Sequence, residues 1–249
     1  MIRHKIFTEY MVCSFVEPNK IREWIEICNL MKTIDDMVCL SFTPTELTIQ
    51  MIHPSRKGVL DMSFPNTWFS DYDWKDSEFY IETDTLFTIF SLYSDENRIS
   101  MLCEKNYLVL KFFHDNHIKS FSIPLRSHKE RRIQIVKEEG ILFRMETNYL
   151  YTICQQLFKF GDILYFVLKR DFFHMIAYGN EKMVVEVQPN AVEVIHEGEC
   201  EKSFDLHILN LFLKFSTLYS KINVKMNTLL HLWIDKEYVI NYYVSRVKS

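Results

Sequence analysis

Four amphipathic helical patterns recur along this chain at intervals of roughly 60 residues, and such a repeat restricts the available folds more than any other feature. The first runs from about Pro18 to Lys32, with Ile21, Trp24, Ile25, Cys28 and Met31 at helical spacing and Pro18 suited to a first turn. The second runs from Thr83 to Tyr93, with Leu86, Ile89, Phe90 and Tyr93 as its apolar stripe and Thr83 or Asp84 as its cap. The third begins near Thr147, turns Leu150, Ile153, Cys154 and Leu157 inward, and places Gly161 where a C-cap is expected. The fourth covers Asp205 to Ser216, with Asp205 as its cap and Leu209, Phe212 and Leu213 on one face. The intervening segments read as strands rich in Val, Ile, Phe and Tyr. One helix with a few strands cannot bury its apolar surface alone, so the four units must pack in pairs.

Two units per domain predict an α+β fold with a boundary between the second and third helices. There the chain passes from Phe121-Ser122-Ile123-Pro124 through Arg126, His128, Lys129, Glu130, Arg131 and Arg132 to Ile133, a linker by composition. The expected division is residues 1–120, a connector over 121–136, and residues 137–249. At 249 residues and 48% hydrophobic content, the chain has enough apolar surface for a substantial core.

Six scattered cysteines without paired spacing point to free buried thiols in a reducing compartment. Arg3, His4 and Lys5 are followed by IFTEY rather than a long apolar run, and no stretch approaches a membrane span. The expectation is an intracellular protein without membrane association.

Catalytic constellations are hard to find. His114 and His117 flank Asp115 in FFHDNHIK, which reads as a turn between strands without further ligands at metal spacing. Cys154 and His207 are the one nucleophile-and-base pairing to weigh, but the place of Cys154 on an apolar helical stripe makes it a packed thiol. Asp71, Asp73 and Asp76 lack the spacing of a calcium loop. The five glycines form no phosphate-cradling loop. A non-enzymatic protein with no cofactor and no metal is expected.

The segment Gln50 to Tyr72, QMIHPSRKGVLDMSFPNTWFSDY, carries a turn at Ile52-His53-Pro54-Ser55-Arg56, a second strand from Val59 to Phe64, and the aromatic pair Phe69 and Tyr72. It resembles the corresponding segment of the ring-shaped DNA sliding clamps of the PCNA type, with His53 where those clamps carry Asp. Met145 to Asp162 resembles the clamp helix that ends in Leu-x-x-x-Gly-Asp. Leu206 to Lys214 and Val239 to Val244 resemble the last helix and last strand, so four matches fall in the family's order.

The resemblance implies a two-domain processivity-clamp fold, with curved antiparallel sheets outside and four helices lining the inner face. It implies head-to-tail assembly into a trimeric ring around duplex DNA, bound without sequence preference. The implied DNA-facing residues are Lys20, Arg22 and Lys32 in the first helix, Gln155 and Lys159 in the third, and His207, Asn210, Lys214 and Lys221 around the fourth. Gln155 and His207 stand where such clamps commonly carry Arg, and the second helix has no basic residue, so the expected lining is weakly charged. A net charge of −4 does not exclude DNA binding, because the footprint depends on distribution.

The same resemblance implies a pocket that takes the hydrophobic plug of short peptides from DNA polymerase, the clamp loader and other clamp-interacting proteins. Its wall maps to Ile52, Arg56, Val59, the connector residues Ile133 and Ile135, and Tyr243, Val244 and Ser245. Arg246 stands where the family has a Pro. The implied location is the nucleus, or the site of viral DNA replication. Alternatives are a subunit of a heterotrimeric damage-checkpoint clamp, a diverged viral clamp-like replication or late transcription factor, and a purely structural interaction module.

Overall fold

The computed structural model describes residues 11–94, 98–126, 132–136 and 138–247. The N-terminal Arg3 to Tyr10, and the connector's His128, Lys129, Glu130 and Arg131, lie outside the described residues.

The first half runs β1 (Val12–Phe15), α1 (Pro18–Ile34), β2 (Met37–Phe42), β3 (Glu46–Ile52), β4 (Gly58–Pro65), a 3-10 turn (Asn66–Trp68), β5 (Asp71–Asp73), β6 (Ser77–Glu82), α2 (Thr83–Phe90), β7 (Arg98–Glu104), β8 (Tyr107–Phe113) and β9 (Ile118–Pro124). The second runs β10 (Ile141–Glu146), α3 (Thr147–Leu157), β11 (Ile163–Leu168), β12 (Phe173–Tyr178), β13 (Lys182–Glu186), a 3-10 turn (Pro189–Ala191), β14 (Val192–His196), β15 (Cys200–Asp205), α4 (Leu206–Leu213), β16 (Lys221–Met226), β17 (Leu229–Asp235) and β18 (Val239–Ser245). The succession of strands and helices is the same in both halves.

The pairing repeats as well. β5-β1-β7-β8-β9 form one sheet in the order that β14-β10-β16-β17-β18 follow in the second half, and β6-β2-β3-β4 mirror the four-stranded sheet β15-β11-β12-β13. One pairing has no counterpart within the chain. β18 lies antiparallel to β4, with Tyr243 opposite Val59 and Asn241 opposite Asp61, and this joins strands of both halves into a nine-stranded sheet.

Strand alternation sorts the side chains. In β3, Leu47, Ile49 and Met51 are buried while Thr48, Gln50 and Ile52 face the other side, and β4 repeats this with Leu60, Met62 and Phe64 against Val59, Asp61 and Ser63. The buried face meets the helices. Trp24 of α1 packs on Phe15, Phe64 and Trp68, with ring centroids 5.7, 5.3 and 5.9 Å away. Burying side chains of this size stabilises by about 2–3 kcal/mol each, so the first 3-10 turn anchors α1 through Trp68.

Helix ends follow the sequence in part. Pro18 occupies the first turn of α1, and the Asp205 carboxylate caps α4 by accepting the amides of His207 and Ile208 at 3.0 and 3.2 Å. Thr83 does not cap α2; its hydroxyl donates to the Asp35 carbonyl at 2.7 Å and ties α2 to the end of α1. Gly161 is no left-handed C-cap either, since no described glycine has positive φ. A Cβ there would lie 2.2 Å from the Tyr178 carbonyl, so glycine is required by the approach of the chain after α3 to β12.

The connector boundary also differs from expectation, because β9 continues through Pro124 and Arg126 still bridges the main chain of Tyr80. Beyond it, Arg132 Nη2 donates to Thr48 Oγ1 at 2.8 Å, and Ile133 exchanges two bonds with the Gln50 side chain at 2.7 and 3.1 Å. The Glu138 carbonyl then accepts from Asn227 Nδ2 at 3.2 Å. The described parts of the connecting segment thus lie against β6, β3 and the β16–β17 turn, with the contacts to β3 on the sheet face opposite the helices.

Candidate nucleic-acid interface and partner pocket

The helices pack side by side in the order α2, α1, α4, α3, with the sheets behind them. This row is the surface to which the sequence assigned nucleic acid. Its exposed cations are few. Arg22 in α1, Lys159 and Lys214 beyond the ends of α3 and α4, and Lys221 at the start of β16 are exposed and make no ion pair among the described residues. Lys221 borders a cleft of about 480 Å³ shared with Arg144, Tyr149 and Asn190.

The other two lysines are engaged within the chain. Lys20 is only 16% exposed and lies 3.2 Å from Glu17, 3.1 Å from Glu237 and 3.1 Å from the Trp68 carbonyl. Burial works against its charge, but the two carboxylates outweigh this and hold its pKa above the ordinary value. Lys32 pairs with Asp84 of α2 and sits over the Phe87 ring. Gln155 is half-buried, and His207 is exposed beside the Phe158 ring at 6.4 Å.

Asn210 departs from its expected place. It is 5% exposed, and neither amide atom finds a hydrogen-bond partner among the described residues. α4 is a two-turn helix flanked by α1 and α3, so only its ends reach the surface and Asn210 belongs to the packing.

The opposite face of the nine-stranded sheet holds the residues assigned to the pocket. Ile52 of β3, Val59 of β4 and Tyr243 of β18 are consecutive cross-strand neighbours in one row, which continues to His231 of β17. The Tyr243 ring stacks on His231 at 4.3 Å, and His231 on Trp233 at 4.6 Å. Burial, reinforced by Asp61, pushes the Tyr243 phenol up to about 12. The turn at one end is closed by His53 N–H donating to Gly58 O at 2.9 Å, with Arg56 in left-handed conformation at φ 58°. Ser245 N–H donates to Lys57 O at 2.8 Å and binds the C-terminal strand to that turn.

Ile133 and Ile135 lie on the crossing segment, whose hydrogen bonds to β3 bring them to the same side as Ile52. Val244 does not join them. Alternation turns Tyr243 and Ser245 outward and Val244 inward, where it is 0% exposed in the core.

Several contributors escaped the sequence reading. Gln50, His231 and Trp233 fall on the outward positions of their strands, so the alternation in QMI and LLHLWID carried a signal for them. Cys154 is fully buried and burial raises its thiol, the reverse of what a nucleophile needs. His114 and His117 stack at 4.8 Å in the β8–β9 turn, and no group of three metal-ligating side chains occurs among the described residues.

Repeated halves, one continuous sheet across them, and a single row of four helices define a processivity-clamp fold. The same fold is found in proliferating cellular nuclear antigen from Entamoeba histolytica, with a TM-score of 0.86 and 12% identity over 96% of this chain and 99% of that one. It is also found in the PCNA2-PCNA3 complex from Sulfolobus tokodaii, with a TM-score of 0.82 and 15% identity over 95% of this chain and 99% of that one. At these identities the likeness is one of fold. No family model and no curated protein sequence matches the chain.

Proposed function

We propose that this chain is a DNA sliding clamp: a non-enzymatic ring subunit that encircles duplex DNA and tethers DNA polymerase and other replication proteins. One observation carries the reading. Within the chain β18 pairs with β4, whereas among the described residues their counterparts, β9 and β13, are left as free edges of the five- and four-stranded sheets. Pairing β9 of one copy with β13 of the next would rebuild the nine-stranded sheet between copies. Ile118 on β9 is 58% exposed and Val184 on β13 is 43% exposed, apolar surface that such pairing covers. A heterologous contact of this kind closes into a ring when the rotation permits.

Three copies would place their helix rows around the hole, where Arg22, Lys159, Lys214 and Lys221 supply the cations available to phosphates, with Gln155 and His207 adding polar contacts. Lys20 and Lys32 contribute less, because each already neutralises a carboxylate. The outer row from Ile52 to Tyr243, with Ile133 and Ile135, would receive the apolar plug of partner proteins. The location proposed with this function is the nucleus or a site of viral DNA replication.

The sparse cations favour one second reading, a subunit of a heteromeric clamp whose other members carry more of the charge. Size-exclusion chromatography with mass measurement separates the two. A homotrimer supports the first reading, and a chain that stays monomeric until a different subunit is supplied supports the second. A protein that forms no ring under any condition and gives no stimulation of polymerase processivity would sink both.

A further inference from the structure

The junction of β18 with β4 is capped by the β17–β18 turn, which reaches across it onto the first half. Tyr238, the residue before β18, packs on Trp68 with ring centroids 5.5 Å apart, and Glu237 lies 3.1 Å from Lys20, which also meets Glu17 at 3.2 Å. Three positions of the first half thus form the seat of that turn: Glu17 just before α1, Lys20 third in α1, and Trp68 third in the first 3-10 turn. Their counterparts in the second half are Glu146, Tyr149 and Ala191, and all three line the cleft of about 480 Å³ that Lys221 borders. Ala191 stands where the first half has an indole, so this second seat is open.

The counterpart of the β17–β18 turn is the β8–β9 turn. His117 immediately precedes β9 as Tyr238 precedes β18, and both strands have seven residues. Asp115, Asn116 and His117 are exposed; the His114 amide closes the turn by donating to the His117 carbonyl at 2.9 Å, and the two imidazoles stack at 4.8 Å. Strand direction agrees as well. The start of β18 lies at the end of β4, which leads into the first 3-10 turn, and β13 leads in the same way into the second. We propose that the cleft is a socket for the β8–β9 turn of a neighbouring copy, with His117 set against Ala191 and the His114 ring stacked behind it. The inference rests on the reading of this chain as a ring subunit, and it adds a side-chain lock to the strand pairing of the seam. The histidine pair takes the room that Trp68 fills in the first half, and the Glu146 carboxylate and the Tyr149 hydroxyl stand in the same cleft as acceptors for imidazole N–H groups.

Cysteine cross-linking tests it, with His117→Cys in one chain and Ala191→Cys in another, the two coexpressed. Mild oxidation should join them into a disulfide-linked dimer on a non-reducing gel, because docking of this kind brings the two positions within the Cα separation of about 4.4–6.8 Å that a disulfide needs. Neither variant alone should give that product. A ring of unchanged mass by light scattering that yields no cross-link overturns the socket while the ring stands. Joint replacement of His114 and His117 by Ala gives a second measurement, and it should raise the concentration at which the ring half-dissociates by about tenfold. An unchanged value for that variant also overturns the proposal. A wild-type protein that forms no ring removes the ring reading itself, and the socket with it.

Discussion

Lys57 and Asp205, 148 residues apart, meet with Nζ 2.9 Å from Oδ2. The other oxygen of that carboxylate caps α4, so one side chain holds both the turn beside the outer pocket and the start of a helix on the opposite side of the sheet. Burial alone would raise the Asp205 pKa, but Lys57 and the amides of Ile208 and His207 outweigh it and hold it below the ordinary value.

Asp205→Ala should therefore destabilise the chain by about 1–2 kcal/mol at neutral pH, and Asp205→Asn by less, because Asn keeps the cap. A carboxylate whose pKa is depressed on folding adds stability above its unfolded value, near about 3.9, and loses it as pH falls through the folded value. The difference between wild type and Asp205→Asn should accordingly shrink below about pH 4, as read from urea unfolding across pH.

Gly58 lies under the same junction. A Cβ there would sit 2.8 Å from the Tyr242 hydroxyl and 2.9 Å from Ile208 Cγ2. Gly58→Ala should cost about 1–3 kcal/mol. Tyr242→Phe loses the bond to the Ile208 carbonyl but removes one clashing atom, so the double variant should be more stable than the sum of the two single effects predicts. Strict additivity in thermal unfolding would show that the hydroxyl is not the obstacle.

Ile52 and Val59 face each other across adjacent strands and point away from the core. Replacing both with Glu should leave the unfolding midpoint nearly unchanged and abolish calorimetric binding of a clamp-interacting peptide. Retained affinity would place the partner site elsewhere.

On the helix row, Arg22, Lys159, Lys214 and Lys221 are the residues to change. Removing the cation that meets one phosphate should flatten the plot of log K against log salt by about 0.9, without altering sequence preference. Replacing Lys20 and Lys32 should move the slope less, since their ammonium groups are held by carboxylates. Equal effects from the two sets would mean that those ion pairs open on DNA.

The seam proposed between copies can be probed from either side. Val184→Glu on β13 or Ile118→Glu on β9 should convert a ring to smaller species by light scattering, because each sets a charge on an apolar edge. An unchanged mass for both variants would put the contact on other strands.

Much of the fold was legible because amphipathic helices announce themselves locally. The stripes of α1 and α3 and the Asp205 cap each rest on residues within a few turns of one another. What failed depended on distance or parity. Val244 sits between two outward residues, and a one-residue shift reverses its face. Asn210 carries a polar side chain on a helix whose neighbours enclose it, which no residue of α4 reveals. Gly161 is needed because Tyr178 passes close by, and β9 outlasts its expected end because β8 pairs with it to Pro124. Lys57 gave no local sign of Asp205.

The junction of β4 with β18 has a mechanical consequence. It runs along β4, a strand of eight residues, with the Lys57–Asp205 and Tyr242–Ile208 contacts beside it, whereas β13 offers only five residues to a neighbouring copy. In the ring proposed above, the weaker junction would be the one between chains, so a ring of this kind would open at an intermolecular gate before the two halves of one chain part.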